Sequence, residues 1–216
     1  MGAPTMAVLS DKCPEIQVTV LDIDKEKITA WNSENLKELP IYEPGLSLLI
    51  KKNRNKNLFF SRKINENIAE ADIIFISVNT PTKKRGLGAG YASDLKWVES
   101  SARSVAKYAK GNTIIVEKST VPVRTAELIK TILSGSESNT NQEKKTFSVI
   151  SSPEFLAEGT AIKDLFKSDR VLVGSDQTES GLLAAQSLVK IYENWIPKNK
   201  ILTTNVWSSE LTKLAS

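Results

Sequence analysis

A doubly wound α/β fold with a mostly parallel sheet is predicted by three features of the 216-residue sequence. Short apolar runs recur at 18–21, 58–60, 73–78, 113–116, 147–150, 171–173 and 201–203. Helical patterns lie between most of them. The runs are continuous stretches rich in Ile and Val, not alternating ones. Strands of that kind are buried on both faces, which calls for helices above and below a parallel sheet.

The elements follow in order. A short helix containing Gly2 leads into the strand at 18–21, which ends at Asp22. Asp24 suits the N-cap of a helix over 25–31. The clearest helix spans 93–109, where Leu95, Val98, Ala102, Val105 and Ala109 recur at spacings of three and four. Ser93 and Asp94 signal its start, and Gly111 follows its end. A further helix is expected from Pro122, a residue suited to a first helical turn, with Ala126, Ile129 and Leu133 on one face. The polar stretch 134–145 reads as a surface loop. No internal repeat is visible.

Composition narrows the chemistry. The chain contains no histidine, which excludes Ser-His-Asp and Cys-His catalysis and histidine metal sites; no metal is expected. A single cysteine, Cys13, excludes an intramolecular disulfide and fits a reducing compartment, and the expected location is cytoplasmic. With no basic partner nearby, Cys13 reads as buried packing and not as a nucleophile. The longest apolar run, Ile73-Ile74-Phe75-Ile76, is too short to span a membrane, and no signal-peptide pattern opens the chain. The net charge of +4 is dispersed among 25 acids. Its densest runs, at 51–56 and 83–85, fall where turns are expected, so solvated loops are the better explanation than nucleic acid. A phosphate-bearing small molecule accounts for mild basicity equally well.

In doubly wound sheets ligands bind beyond the carboxyl ends of the strands. Four places qualify. Asp22 stands about 20 residues past the position where a Gly-rich turn would lie in a dinucleotide-binding unit, where an acid holds ribose hydroxyls; it also reads as a helix-capping acid. An acid there favours NAD over NADP. "SVNTPT" (77–82) directly follows a strand and offers Asn79, Thr80 and Thr82 as hydrogen-bonding side chains, with turn chemistry as the plainer alternative. "EKSTVPV" (117–123) follows the next strand. "SSPEFLAEGT" (151–160) places Glu154 and Glu158 four residues apart, on one side of a helical turn, where a carboxylate can act as general base. The glycines at 86, 88 and 90 follow no strand directly and have the wrong spacing for a phosphate loop. Lys213, taken alone, is an exposed helix lysine.

Together "LPIYEPGL" (39–46), "ADIIFISVNTPT" (71–82), "VEKSTVPVRTAE" (116–127), "PEFLAEGTAIKDL" (153–165), "DRVLVG" (169–174) and "KILTTNVWSSELTKLA" (200–215) resemble the UDP-glucose 6-dehydrogenase family, its animal-type form more than the shorter bacterial one. The resemblance covers the whole chain but only the first part of the family's sequence. It implies a Rossmann-like NAD-binding domain over 1–205, with 206–216 beginning the interdomain helix. Gly2-Ala3-Pro4-Thr5 matches the tail of the family's G-x-G-x-x-G turn, so the first strand and first two glycines are expected to be missing. In the usual strand order that strand lies between the one ending at Asp22 and the one at 73–78. The family's catalytic cysteine, in a G-G-S-C-F-type motif, would lie downstream, and Cys13 does not match it.

The resemblance also assigns roles. Gly2, Asp22, Lys27, Val78, Asn79, Thr80, Pro81, Thr82, Ser119 and Glu158 would bind NAD, with Asp22 on the adenosine ribose. Thr120 would stand near the substrate and its water, Glu154 would be the acid–base group of the hydrolytic step, and Lys213 would stabilise the developing oxyanion. Glu154, Phe155, Leu156, Glu158 and Lys213 would contact the sugar nucleotide. The family oxidises a sugar primary alcohol to an acid in two hydride transfers to NAD, holding the intermediate on cysteine as a thiohemiacetal and then a thioester. The expected partners are UDP-glucose and, in the full-length protein, further copies of itself. Another nucleotide-sugar dehydrogenase, for UDP-N-acetylmannosamine or GDP-mannose, is the alternative within the class. A non-catalytic interaction module is the alternative outside it.

Overall fold

The computed structural model describes residues 2–135 and 145–215. Most of the predicted loop at 134–145 therefore lies outside the described residues. The elements run α1 (Gly2–Lys12), β1 (Val18–Leu21), α2 (Lys25–Asn32), α3 (Leu46–Asn53), β2 (Leu58–Ser61), α4 (Ile64–Glu70), β3 (Ile73–Ile76), α5 (Lys96–Tyr108), β4 (Asn112–Glu117), α6 (Thr125–Ser134), β5 (Thr146–Ser151), α7 (Ala161–Phe166), β6 (Val171–Ser175), α8 (Glu179–Tyr192), β7 (Ile201–Asn205) and α9 (Val206–Leu214). All seven predicted strands are present. Asp24 caps α2 as expected, accepting the N–H groups of Glu26 and Lys27.

The strands form two sheets, β1-β2 and β3-β4-β5-β6-β7. Pairing is parallel throughout except between β5 and β6, which meet antiparallel at Ser151 and Gly174. Among the described residues the strands thus form two sheets, where the resemblance led to the expectation of a strand between the one ending at Asp22 and the one at 73–78. Among the described residues β1 pairs with β2 alone and β3 with β4 alone. Their central residues, Thr19 to Leu21 and Ile73 to Phe75, are consequently only half-buried, although inner strands of such sheets are normally sealed.

Helices cover both faces of the larger sheet. Val98, Ala102 and Val105 of α5 and Ala126, Ile129 and Leu133 of α6 pack with Ile76, Ile115 and Val149 on one face. Ala184, Ala185, Leu188 and Tyr192 of α8 pack with Val116, Ile150 and Val173 on the other. A third cluster joins α1, α3 and α7 to β1 and β2, and encloses Cys13. No described helix is long and apolar enough to cross a membrane.

Two local expectations change. α6 starts at Thr125, not Pro122, because Arg124 takes a left-handed φ of 78° and the Pro122 carbonyl is used to accept the Thr125 hydroxyl. The stretch carrying Glu154 and Glu158 is not helical: it runs without regular structure to Ala157 and turns at Glu158–Thr160 before α7. The two carboxylates therefore do not share a helix face. The basic run at 51–56 is half helical, with Lys51 and Lys52 in the last turn of α3 and Lys52 paired to Asp11.

Candidate functional site

The carboxyl ends of β3, β4 and β5 converge beside the start of α1. Gly2 lies so close to the loop after β3 that an added Cβ would stand 2.9 Å from Ser77 Cβ. The loop after β3 is tied to the loop after β4: the Val78 N–H donates to Ser119 Oγ at 3.1 Å, and the Thr80 hydroxyl donates to the Thr120 carbonyl at 2.7 Å. Pro81 accepts the Asp94 N–H, and Thr82 bridges to Ser93, which closes the segment over the glycine-bearing loop. Asn79 and Thr120 remain exposed on this surface.

After β5, Glu154 turns inward and accepts a hydrogen bond from the Thr5 hydroxyl of α1. Lys118, the residue after β4, stands 3.7 Å from the same Glu154 oxygen. Its ammonium also donates to the Ser152 carbonyl at 2.7 Å and to the Tyr192 hydroxyl at 3.3 Å. Burial alone would pull the Lys118 pKa down, but the Tyr192 and Glu154 oxygens outweigh it and hold it above the ordinary lysine value. Phe155 projects between two cations, with the Arg170 guanidinium 4.5 Å and the Lys213 ammonium 5.2 Å from its ring centre. Lys213 is thus half-buried against the segment after β5, not a plain solvent-facing lysine.

Two buried carboxyls lie beneath this surface. Glu210 of α9 accepts the N–H groups of Arg124 and Ala126 at the start of α6. Glu117, the last residue of β4, has an Oε1 with no hydrogen-bond partner among the described residues. Burial pushes its carboxyl up to about 8, helped by the like charge of Glu210 and opposed by hydrogen bonds from Ser119.

The remaining predicted residues lie apart. Asp22, at the end of β1, accepts the Asp24 N–H at 2.9 Å and stands 3.6 Å from Lys27 Nζ. No hydrogen bond or ion pair among the described residues joins that pair to the Glu154 group. Leu156 packs on the cluster around α1, and Glu158 is exposed on the turn before α7. That turn is held from a distance by buried Glu43, which accepts the N–H groups of Gly159 at 3.1 Å and Ala161 at 3.3 Å. Sequence reasoning passed over Thr5, Lys118, Tyr192, Glu43, Glu117 and Glu210. Lys118 and Glu117 stood inside a stretch already singled out, where a charged pair ending an apolar strand was the available signal. Nothing local marked Tyr192 or Glu43.

Residues 1–196 match the UDP-glucose/GDP-mannose dehydrogenase family, NAD binding domain. The chain belongs to this family. UDP-glucose 6-dehydrogenase 3 of Oryza sativa subsp. japonica is 56% identical over all 216 residues, and the UDP-glucose 6-dehydrogenase of Caenorhabditis elegans is likewise 56% identical. The chain spans 43% and 44% of the length of these two relatives, under half in each case. Among solved structures, the UDP-glucose dehydrogenase of Pyrobaculum islandicum superposes with a TM-score of 0.80 at 29% identity, covering 99% of this chain and 45% of that one. The GDP-mannose dehydrogenase of Pseudomonas aeruginosa gives 0.80 at 25% identity, covering 99% and 46%. Plant and nematode relatives match equally well, so the likeness is not confined to the animal form.

NAD is the cofactor of this family's domain. The residues present suit it. The helix start at Gly2, approached closely by the Ser77 side chain of the loop after β3, is a place where phosphate can meet N–H groups, and the Asp22 carboxylate at the end of β1 is 33% exposed.

Proposed function

We propose that the protein carrying this domain oxidises UDP-glucose to UDP-glucuronate with NAD. The observation that carries this is the identity of 54–56% across the whole chain to proteins named UDP-glucose 6-dehydrogenase. The GDP-mannose and UDP-N-acetylmannosamine dehydrogenases match at only 19–25%. Those alternative substrates are therefore the weaker choice, as is a non-catalytic module. The domain extends over 1–205, with α9 beginning the connection to a sugar-nucleotide domain. Cytoplasmic location and self-association of the whole protein are part of the same proposal.

When bound, NAD supplies the hydride acceptor. The chain's own residues bind, orient and hold charge around it. Asp22 takes the adenosine ribose hydroxyls, with Lys27 beside it; Gly2, residues 78–82, Ser119 and Glu158 line the dinucleotide. Phe155, Leu156 and Glu158 contact the sugar nucleotide. Lys213 places a cation where negative charge grows on the sugar oxygen, which favours the transition state over the ground state. Thr120 orients water near the substrate, and Glu154 accepts its proton in the hydrolytic step.

The test measures NADH absorbance with UDP-glucose and excess NAD, using a full-length enzyme built around this domain. Two NADH per sugar are expected; Glu154→Gln should form both in the first turnover and then stall at hydrolysis, and Lys213→Ala should slow both hydride transfers by orders of magnitude. Turnover of GDP-mannose in preference to UDP-glucose would overturn the substrate assignment. The 216-residue chain alone is expected to turn over nothing, because its one thiol, Cys13, is fully buried and burial raises its pKa.

A further inference from the structure

Lys118 has no part in the roles above, and its surroundings give it one. An ammonium has three donors. Here they face three acceptors: the Ser152 carbonyl at 2.7 Å, the Tyr192 hydroxyl at 3.3 Å and Glu154 Oε1 at 3.7 Å. The Lys118 side chain is 4% exposed and that of Glu154 11%. At such depth neither charge can swing into water without deserting its partner, so the pair acts as a directional constraint more than as a source of stability. Thr5 adds its hydroxyl to the same oxygen, Oε1. Glu154 Oε2 accepts no hydrogen bond among the described residues, and it is not one of the sealed orphan oxygens. One carboxylate oxygen is fastened from two sides and the other is left open.

We propose that Lys118 is a positioning residue: fixed on Ser152 and Tyr192, it grips Glu154 by Oε1 so that Oε2 is the oxygen presented to the substrate's water. The proposal rests on the acid–base role given to Glu154. It explains why a carboxylate meant to exchange protons sits on an inward-turned segment: the grip keeps one rotamer and spares the reacting oxygen. Burying a lysine is costly unless it is fully partnered. The substitution Lys118→Arg keeps the charge and the reach, whereas Lys118→Met keeps the volume and removes the grip.

The test uses the 216-residue chain labelled with ¹³C-carboxyl glutamate and ¹⁵N-lysine. The Glu154 signal is identified by its absence in Glu154→Gln. In Lys118→Met at neutral pH it should shift to the position of the exposed glutamates in the same spectrum. In Lys118→Arg it should stay near the wild-type position, and in Thr5→Val it should move part of the way. Circular dichroism checks that each variant remains folded. An unmoved Glu154 signal in folded Lys118→Met overturns the proposal, as does an equal shift in Lys118→Arg. If Lys118→Met does not fold, the ¹⁵N ammonium signal of Lys118 decides: it must shift in Glu154→Gln, and an unchanged signal overturns the proposal. A pairing shown this way, alongside full activity of Glu154→Gln in the completed enzyme, would leave the pairing standing and remove the acid–base role.

Discussion

Glu210 in α9 and Ala126 in α6 are joined by a hydrogen bond of 2.8 Å, carboxylate to backbone N–H, across 84 residues of sequence. The other Glu210 oxygen accepts the Arg124 N–H at 2.7 Å. The first turn of α6, whose N-terminal neighbour makes no side-chain cap bond, is thus capped from another helix. α9 presses close enough for this because β6 carries Gly174, where an added Cβ would lie 2.3 Å from Ser209 Cβ. The loop bearing Thr120 is fastened at its α6 end by these contacts.

Replacing Glu210 should therefore destabilise the fold measurably. Glu210→Ala leaves one buried N–H, of Ala126, and one part-buried N–H, of Arg124, without an acceptor, a loss of about 2–4 kcal/mol. Glu210→Gln keeps one acceptor and should lose roughly half as much. Urea unfolding of the three chains measures both. Equal stability of all three would mean that water replaces the carboxylate without penalty.

Glu117 makes stability depend on pH. Its carboxyl has an ordinary pKa of 4.5 when unfolded and about 8 when folded. Between those values the folded chain keeps a proton that the unfolded chain has released. Stability from this group is complete below about 4.5 and falls as pH rises through about 8. The carboxyl faces Glu210 from α9 and Lys118 from its own strand end. Glu117→Gln should flatten the decline between pH 5 and 8, with a difference on the order of a few kcal/mol at most. Parallel slopes for the two proteins would exclude a raised Glu117.

The strands were legible because seven Ile/Val-rich runs are enough to predict mostly parallel pairing. Local capping was legible too, as with Asp24. The segment after β5 was misjudged. Glu154 and Glu158 have helical spacing, yet tertiary partners decide their placement: Thr5 and Lys118 draw Glu154 inward, while Glu43 holds the turn after Glu158. Such partners lie 36 to 149 residues away and leave no mark in a local pattern. Buried charges are the hardest to foresee, because a lysine like Lys118 reads as surface until its acceptors are placed around it.

Among the described residues β1 and β3 each have one unpaired edge, and both strands carry half-buried apolar side chains. Edges of this kind invite pairing between molecules. The 216-residue chain should melt below about 60 °C, and its soluble fraction should fall with concentration. Ile74→Lys, placed on the half-buried edge strand, should lower light scattering on heating even if it lowers the melting point. Cooperative monomeric unfolding well above that temperature would contradict this.

The turn before α7 offers a test of how the candidate sugar-contacting segment is held. Glu43 is 7% exposed and bonds to Gly159 and Ala161, more than 110 residues away. Gly159 has a φ of 83°, a left-handed conformation that a side chain disfavours by roughly 1–2 kcal/mol. Glu43→Ala should remove the two acceptor contacts, about 1–3 kcal/mol, and Gly159→Ala should strain the same turn. Because both changes loosen one structure, the double variant should lose less than the sum, a coupling on the order of 1 kcal/mol. Proteolysis should move to the segment at 155–160 in each single variant, since the turn is exposed once its anchor is gone. Strict additivity with unchanged cleavage sites would show that Glu43 merely fills space. With the anchor intact and the turn strained, Gly159→Ala alone should leave Glu154 on Thr5 and Lys118, because those contacts belong to the other end of the segment.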